Sequence, residues 1–435
     1  MAGWGRRGIG KGTTRLGPRE YVELVVRISR NRHGGDVIAR MESYLGDRAA
    51  RMGPVDLSRN VARSYQDRVC RAHSRPPLVS GLGPELAAAM GDNSATTVID
   101  RYAAAGGYPM PTTQVQASNG ASRFEQVAGY AAVRIGWSSR SGRISLEVIA
   151  PDDLELEYAS DDPTEPTTIR HHGTRQIGDE VIEVVEVYDL TDLKAPSYRI
   201  YKGGDVRQDV TQEVLGQTYV GDDYTAEWSY QDGTPYHPVV VRGHPDRIYE
   251  RLQQVEATLT AAIRWTAWGS GCDLSSHPGR NVRGLALASM SSSTGESAQG
   301  MADGPEVIKR WVDMDPENPG DHWQDAPAFD PLTTARAVGL YETMALSMID
   351  LPLQLEATGG EPTAREAEAL EERIQGTLPE CRRFDAELLR RCAALANRLE
   401  SVEGDGIPEG PYGVLYRSEI DAALPQPEDL AAGED

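Results

Sequence analysis

The sharpest chemical motif in the 435-residue chain is GRRGIGKGT near its start. Gly5, Gly10 and Lys11 stand at the spacing of a phosphate-cradling Walker loop, and Gly12 and Thr13 follow. Such a loop works when a buried strand delivers it to a helix N-terminus, whose free N–H groups bind the phosphate. Here Met1 to Trp4 precede the motif and no apolar helix follows at once. The expectation is a flexible basic arm over residues 1–17, in which Arg6, Arg7, Lys11 and Arg15 are available to an acidic partner.

The next candidates are imidazoles, paired carboxylates and thiols. His171 and His172 are adjacent in a segment that reads as a strand. Their side chains then point to opposite faces and cannot chelate one ion together, and a surface position is expected for both. Asp152 with Asp153, and Asp161 with Asp162, would suit a divalent metal or acid–base work if buried. Both pairs sit beside prolines in turn-like sequence, where adjacent acids are solvated. Cys70, Cys272, Cys381 and Cys392 show no CxxC spacing and are expected as free thiols. Cys381 and Cys392 lie on one helical face about 16 Å apart by rise, beyond the roughly 7 Å between Cα atoms that a disulfide spans. No GxSxG elbow, HExxH helix or GxGxxG unit is present. The expectation is a protein that is not an enzyme, with no cofactor and no metal.

Composition supports a packed protein, with 39% hydrophobic and 25% charged residues. A net charge of -22 makes the outer field repel nucleic acid, which argues against sequence-specific DNA binding. No stretch approaches the roughly 20 apolar residues of a membrane-spanning helix. The N-terminus lacks the apolar core of a signal peptide, so the expected compartment is a cytoplasm.

The elements that must position these residues follow from hydrophobic period. From Pro18 the pattern is helical, with Tyr21, Leu24, Val25 and Ile28 on one face and Leu57, Val61, Tyr65 and Val69 repeating later. Short amphipathic helices are expected up to about residue 130. The period then becomes two: Val133, Ile135 and Trp137, a Ser-Arg-Ser-Gly turn, and Ile144, Leu146 and Val148 predict a β-hairpin. Further strands are predicted over Val181–Tyr188, Tyr198–Lys202 and Pro238–Val241. A helix should start at Pro245 and carry the stripe Ile248, Leu252, Val255, Leu259, Ile263 as far as Gly269. Residues 270–330, dense in Gly, Ser, Pro and Asp, read as loops and short strands. A second helix is predicted over Leu332–Ile349, then the loop LPLQLEATGGEP, then a long helix opened by a Thr363/Glu366 capping box. Pro379 should kink or divide that helix, whose stripe runs through Cys381, Phe384, Leu388, Cys392, Leu395 and Leu399.

This order of parts resembles the portal proteins of tailed phages, particularly those of long-tailed siphophages. The segment AAVRIGWSSRSGRISLEVIAPDDLELEYASDDPTEP looks like that family's wing, and IDLPLQLEATGGEPTAREAEAL looks like its second stem helix, tunnel loop and following helix. The resemblance spans roughly Pro18 to Glu400 and rests on order and texture rather than one invariant motif. It implies an α+β portal fold: a wing over 18–244 (helical, then β-rich), stem helix 1 over 245–269 and a clip over 270–330. Stem helix 2 at 331–350, a tunnel loop at 351–362, a long kinked wing helix at 363–400 and a short crown with an acidic tail at 401–435 complete it.

The same resemblance implies a dodecameric ring at the capsid vertex of a virion, assembled in the host cytoplasm, for DNA packaging, DNA ejection and tail attachment. Implied partners are terminase, a head–tail adaptor, the major capsid and scaffold proteins, and non-specifically the translocating double-stranded DNA. On it, Glu356, Thr358, Gly359, Gly360 and Glu361 of the tunnel loop lie nearest the DNA. Two other classes remain open from the residues alone. A different virion component, such as an adaptor or vertex protein, would share the acidity and lack of catalytic motifs, and a nucleotide-binding enzyme would need the Walker-like arm to be buried in a cleft.

Overall fold

A computed structural model describes residues 17–37, 77–91, 107–177, 180–203, 208–249, 364–399 and 406–416, the strands 280–283 and 322–325, and positions 39, 63, 66, 67, 70, 251, 255 and 259. For 107–108, 280–283, 322–325 and 364–374 the backbone alone is described. The chain is mixed α+β with antiparallel sheets. It divides into two compact units: Met1–Ser29, Arg63–Leu252 and Ala367–Asp435 make the first, Arg30–Ala62 and Gln253–Glu366 the second.

In the first unit, α1 (Pro18–Ser29) starts on proline and buries Leu24, Val25 and Ile28 of the expected face together with Val22 and Val26. β1 (Leu78–Ser80), α2 (Pro84–Ala89) and β2 (Gly107–Pro109) follow. The helix α3 (Thr112–Ala128) is longer than expected and stops at Gly129, whose φ of 87° closes the helix in the left-handed region.

Next comes the predicted hairpin, β3 (Tyr130–Ser138) and β4 (Arg143–Ile149), in the register the alternation dictates: Val133 faces Val148, Ile135 faces Leu146 and Trp137 faces Ile144. A meander then builds a five-stranded sheet from β5 (Leu154–Tyr158), β6 (Pro166–Ile177), β7 (Glu180–Asp189), β8 (Ser197–Lys202) and β9 (Tyr219–Val220), ordered as in sequence. The short helices α4 (Thr211–Leu215) and α5 (Asp222–Glu227) flank β9. Tyr188, Tyr198, Tyr219 and Tyr224 gather around Trp228 at ring separations of 4.9–5.9 Å and form an aromatic part of the core.

β10 (Val239–Gly243) returns to pair with β3, giving the order β10-β3-β4. The chain then turns through Pro245–Arg247, a 3₁₀ turn rather than an α-helical start. Positions 251, 255 and 259 are helical, and Ile248, Val255 and Leu259 of the expected stripe are buried. β11 (Arg280–Arg283) and β12 (His322–Asp325) form an antiparallel pair within the stretch expected to hold loops and short strands.

The long helix α6 (Ala364–Leu399) runs for 36 residues with Pro379 inside it. Pro379 does not divide it. Cys381, Phe384, Leu388, Cys392 and Leu395 are buried as the stripe predicts, whereas Leu399, in the last turn, is exposed. After Asn397 exchanges two hydrogen bonds with the backbone of Ile407, at 2.7 Å each, β13 (Gly413–Leu415) pairs with β1 and completes the sheet β13-β1-β2. The helical repeat Leu57, Val61, Tyr65, Val69, the helix at 332–349 and the Thr363 cap lie outside the described residues.

Candidate functional site

The residues that stand out structurally are buried charges, in three groups within the first unit. Glu186 lies on β7, on the face shared with Ile182, Val184 and Tyr188, so its carboxylate points into the core. Arg134 from β3 donates to Oε2 at 2.7 Å, and Arg175 from β6 donates through Nε to Oε1 at 2.7 Å and again through Nη2. The hydroxyls of Tyr188 and Tyr198 donate to Oε2 at 3.0 and 3.1 Å. Burial opposes ionisation here, but Arg134, Arg175 and His171 outweigh it and hold the carboxyl below its usual range. Arg134 also reaches Glu147 at 2.7 Å, so one guanidinium ties the β3–β4 hairpin to the larger sheet.

Arg242, on β10, is buried between α3 and α6. Its Nε donates to Glu125 at 2.6 Å and its Nη2 to the Cys381 thiol at 2.8 Å. Burial works against this guanidinium's charge, and the Glu125 carboxylate more than restores it. Nearby, Tyr416 donates to Asp385 Oδ2 at 2.5 Å, and burial pushes the Asp385 carboxyl up despite that bond.

Arg391, on α6, donates to the carbonyls of His237 and Val239 at 2.7 and 3.2 Å, to Glu165 at 2.6 Å and to Glu387 at 2.7 Å. One guanidinium thereby closes α6 onto β10 and onto the loop that precedes β6. His237 donates through Nε2 to the Pro166 carbonyl at 2.8 Å, and burial together with Arg391 pushes its pKa down to about 3, so the ring is neutral at physiological pH. Arg390 lies over the Tyr230 ring at 3.8 Å.

The second and third groups flank a cleft of about 1200 Å³, walled by α6 from Pro379 to Arg391, by β10 and by the 163–166 and 409–412 segments. Its walls carry Arg383 and Arg390 beside Glu380, Glu387 and Glu409. The thiols on α6 beside it are not activated: burial pushes Cys381 up to about 11 and raises Cys392 further. The arrangement can hold strands and helix in fixed register. Among the described residues it pairs no nucleophile with a base, and no group of three or more His, Cys, Asp or Glu is placed to hold a metal ion.

No family model matches the chain, and no curated protein matches it. Among solved structures, a chain from one described as the virion of a native gene transfer agent (GTA) particle is similar, at 13% identity and a TM-score of 0.35, over 86% of this chain and 83% of that one. A likeness of that size fixes no role.

The residues singled out from sequence divide as follows. Glu356, Thr358, Gly359, Gly360 and Glu361, and the arm residues Arg6, Arg7, Lys11 and Arg15, lie outside the described residues, as do the remaining Walker-like positions and Cys272. His171 is a correction: it is buried, drawn in because its position on β6 faces Glu186, with Nδ1 at 4.0 Å from Oε2. His172 points the other way, toward Glu155 at 3.2 Å, so the opposite-face argument holds. Asp161 and Asp162 are exposed, and Asp162 caps its own turn by accepting from Thr164 N and Oγ1. Asp152 and Asp153 sit in a half-buried 3₁₀ turn, Pro151–Asp153. Cys70, Cys381 and Cys392 are buried and none of them is in a disulfide.

Sequence reasoning missed Glu186, Arg242 and Arg391. Parity would have exposed Glu186, since a carboxylate at every-second-residue spacing from Val184 and Tyr188 must find a cation. Arg391 stands three residues beyond Leu388 on the buried stripe and carries the same signal.

Proposed function

We propose that the chain is the subunit of a tailed-phage portal: a ring-forming structural protein through which double-stranded DNA is packaged and released. The observation that carries this reading is topological. One compact unit is assembled from separated stretches, Met1–Ser29, Arg63–Leu252 and Ala367–Asp435, and the stretch between the last two, Gln253–Glu366, belongs to a different unit. A wing that emits its stem and clip and then recovers the chain as a long helix requires this discontinuity. The β-rich segment up to β10 and the return of α6 onto it through Arg242 and Arg391 agree with that order. The strand pair β11–β12 lies within the segment assigned to the clip, 270–330.

On this reading the subunit does no chemistry. ATP hydrolysis belongs to the terminase, which docks on the clip and is later replaced by a head–tail adaptor. The basic arm, through Arg6, Arg7, Lys11 and Arg15, meets capsid, scaffold or DNA, and Glu356, Thr358, Gly359, Gly360 and Glu361 lie closest to the passing duplex. The acid excess suits a channel, because lysine-rich walls would hold phosphates with strong, salt-dependent affinity.

The test is negative-stain electron microscopy of the purified chain together with mass photometry of the same sample. Rings with a central hole and a mass near twelve subunits are expected. A small closed oligomer without a channel would favour an adaptor or vertex protein instead.

A further inference from the structure

The chain leaves the first unit through the segment that follows β10, and that point of departure is unusually constrained. Gly243 has a φ of 77°, and a Cβ there would overlap the carbonyl oxygen of Gly129. Gly129, at a φ of 87°, meets the next residues as closely, since its Cβ would stand 2.5 Å from that of Arg247. Two glycines thus let the end of α3 and the end of β10 cross at backbone distance, with His244 N donating to the Gly129 carbonyl at 3.1 Å. His244 then caps the Pro245–Arg247 turn, its Nδ1 accepting from Asp246 N at 3.2 Å.

From that turn Arg247 reaches two helices. Nη1 donates to Glu380 Oε2 at 2.7 Å, Nη2 donates to Glu380 Oε1, and Nη1 lies 3.5 Å from Glu125 Oε1. Glu380 follows Pro379 directly, so the fork grips α6 beside the residue where its backbone ladder lacks a donor. Glu125 is already held by Arg242 at 2.6 Å, which anchors the other side of the grip to the core.

We infer that Arg247 is a clasp, joining the exit of the chain from the first unit to α6 at its weakest point so that neither can change direction without the other. Ridge packing alone would leave the two free to slide. A planar guanidinium gripping a carboxylate with two parallel bonds fixes angle as well as distance. The inference needs only contacts within the first unit and stands apart from the portal reading. If that reading is right, the clasp sits where the wing hands over to the first stem helix and ties this handover to the long helix.

A double-mutant cycle read by amide hydrogen exchange on the full chain tests it, with Arg247→Gln, Glu380→Gln and the two combined. Each single variant should speed exchange of the amides from Asp246 to Tyr249 about fivefold to tenfold. The double variant should add little, and the β6 and β7 amides should keep the rates of the unaltered chain. Unchanged exchange in either single variant, additive effects, or acceleration spread evenly through the unit would each overturn the clasp. Electron microscopy of the unaltered chain and the variants separates the two ideas: rings with unchanged local exchange in the variants would leave the portal reading standing and remove the clasp, whereas a small closed oligomer without a central hole for the unaltered chain, with the expected local acceleration in the variants, would do the reverse.

Discussion

Glu186 is nearly solvent-free, yet it stays ionised because five donors from four residues converge on its two oxygens. Removing its charge takes from Arg175 this carboxylate and leaves Arg134 with Glu147 as its carboxylate. Glu186→Gln should therefore cost about 3 kcal/mol, the lower end of the range for breaking a buried pair, because the Arg175 side chain is 32% exposed and water recovers part of the loss. Urea denaturation should show a lower midpoint at unchanged slope. The pH dependence has a definite sign. The native carboxyl titrates below its ordinary value of 4.5, so as pH falls the unfolded chain takes up the proton first. The stabilisation is present in full above that value and is lost as pH drops through the native one. The Gln variant should show a flatter decline with acid over this window, and an equally steep decline would remove Glu186 from the account.

Elements here are held by crossings as much as by apolar faces. The α6 stripe buries Phe384, Leu388 and Leu395, but burial sets neither the angle at which the helix lies on β10 nor its axial position. Arg391 does so through two carbonyls and two carboxylates. The α3–β10 crossing is fixed by glycine. Gly243→Ala adds a methyl where the Gly129 carbonyl lies and forces an L residue to a φ of 77°. A loss of about 2–4 kcal/mol is expected, with fast amide exchange centred on Gly129 and Gly243. Gly233→Ala, at a similar φ of 83° but with nothing within 4 Å of the place its Cβ would take, should cost only the conformational part, about 1 kcal/mol. The difference between these two alanine variants, measured by thermal or urea unfolding, isolates the close approach from the backbone conformation.

At the scale of the whole molecule, the tunnel loop and the arm that the proposed portal function assigns can be tested by removal. Deleting residues 356–361 is expected to leave rings intact and to lower DNA packaging or retention, measured as filled particles. Truncating residues 1–17 is expected to reduce procapsid incorporation without changing ring formation. Normal packaging after the loop deletion would detach Glu356 and Glu361 from the DNA path, and normal incorporation after the truncation would remove Arg6, Arg7, Lys11 and Arg15 from partner binding. Neither deletion removes a residue of the three buried charge groups, so the urea midpoint of the first unit should not move.

The sequence by itself determined the parts governed by period and local sterics. Alternation in β3 and β4 fixed their pairing, because a one-residue slip would turn Val133 and Ile135 outward. The three- and four-residue spacing of Cys381, Phe384, Leu388, Cys392 and Leu395 marked the buried face of α6, and the adjacency of His171 and His172 ruled out joint chelation whatever their burial. Tertiary structure alone decided what depends on distant partners. β1 and β2 are three residues long and became strands because β13 arrives from residues 413–415 to pair with β1, a contact no local window contains. Pro379 stays within a continuous helix because the burial of Leu378 before it and of Cys381, Phe384 and Leu388 beyond it outweighs one missing bond. His171 was drawn inward by Glu186, and Arg242, Arg247 and Arg391 found carboxylates more than a hundred residues away in the chain. A charge can be recognised locally as needing a partner, but which partner it meets is set only when the elements close on one another.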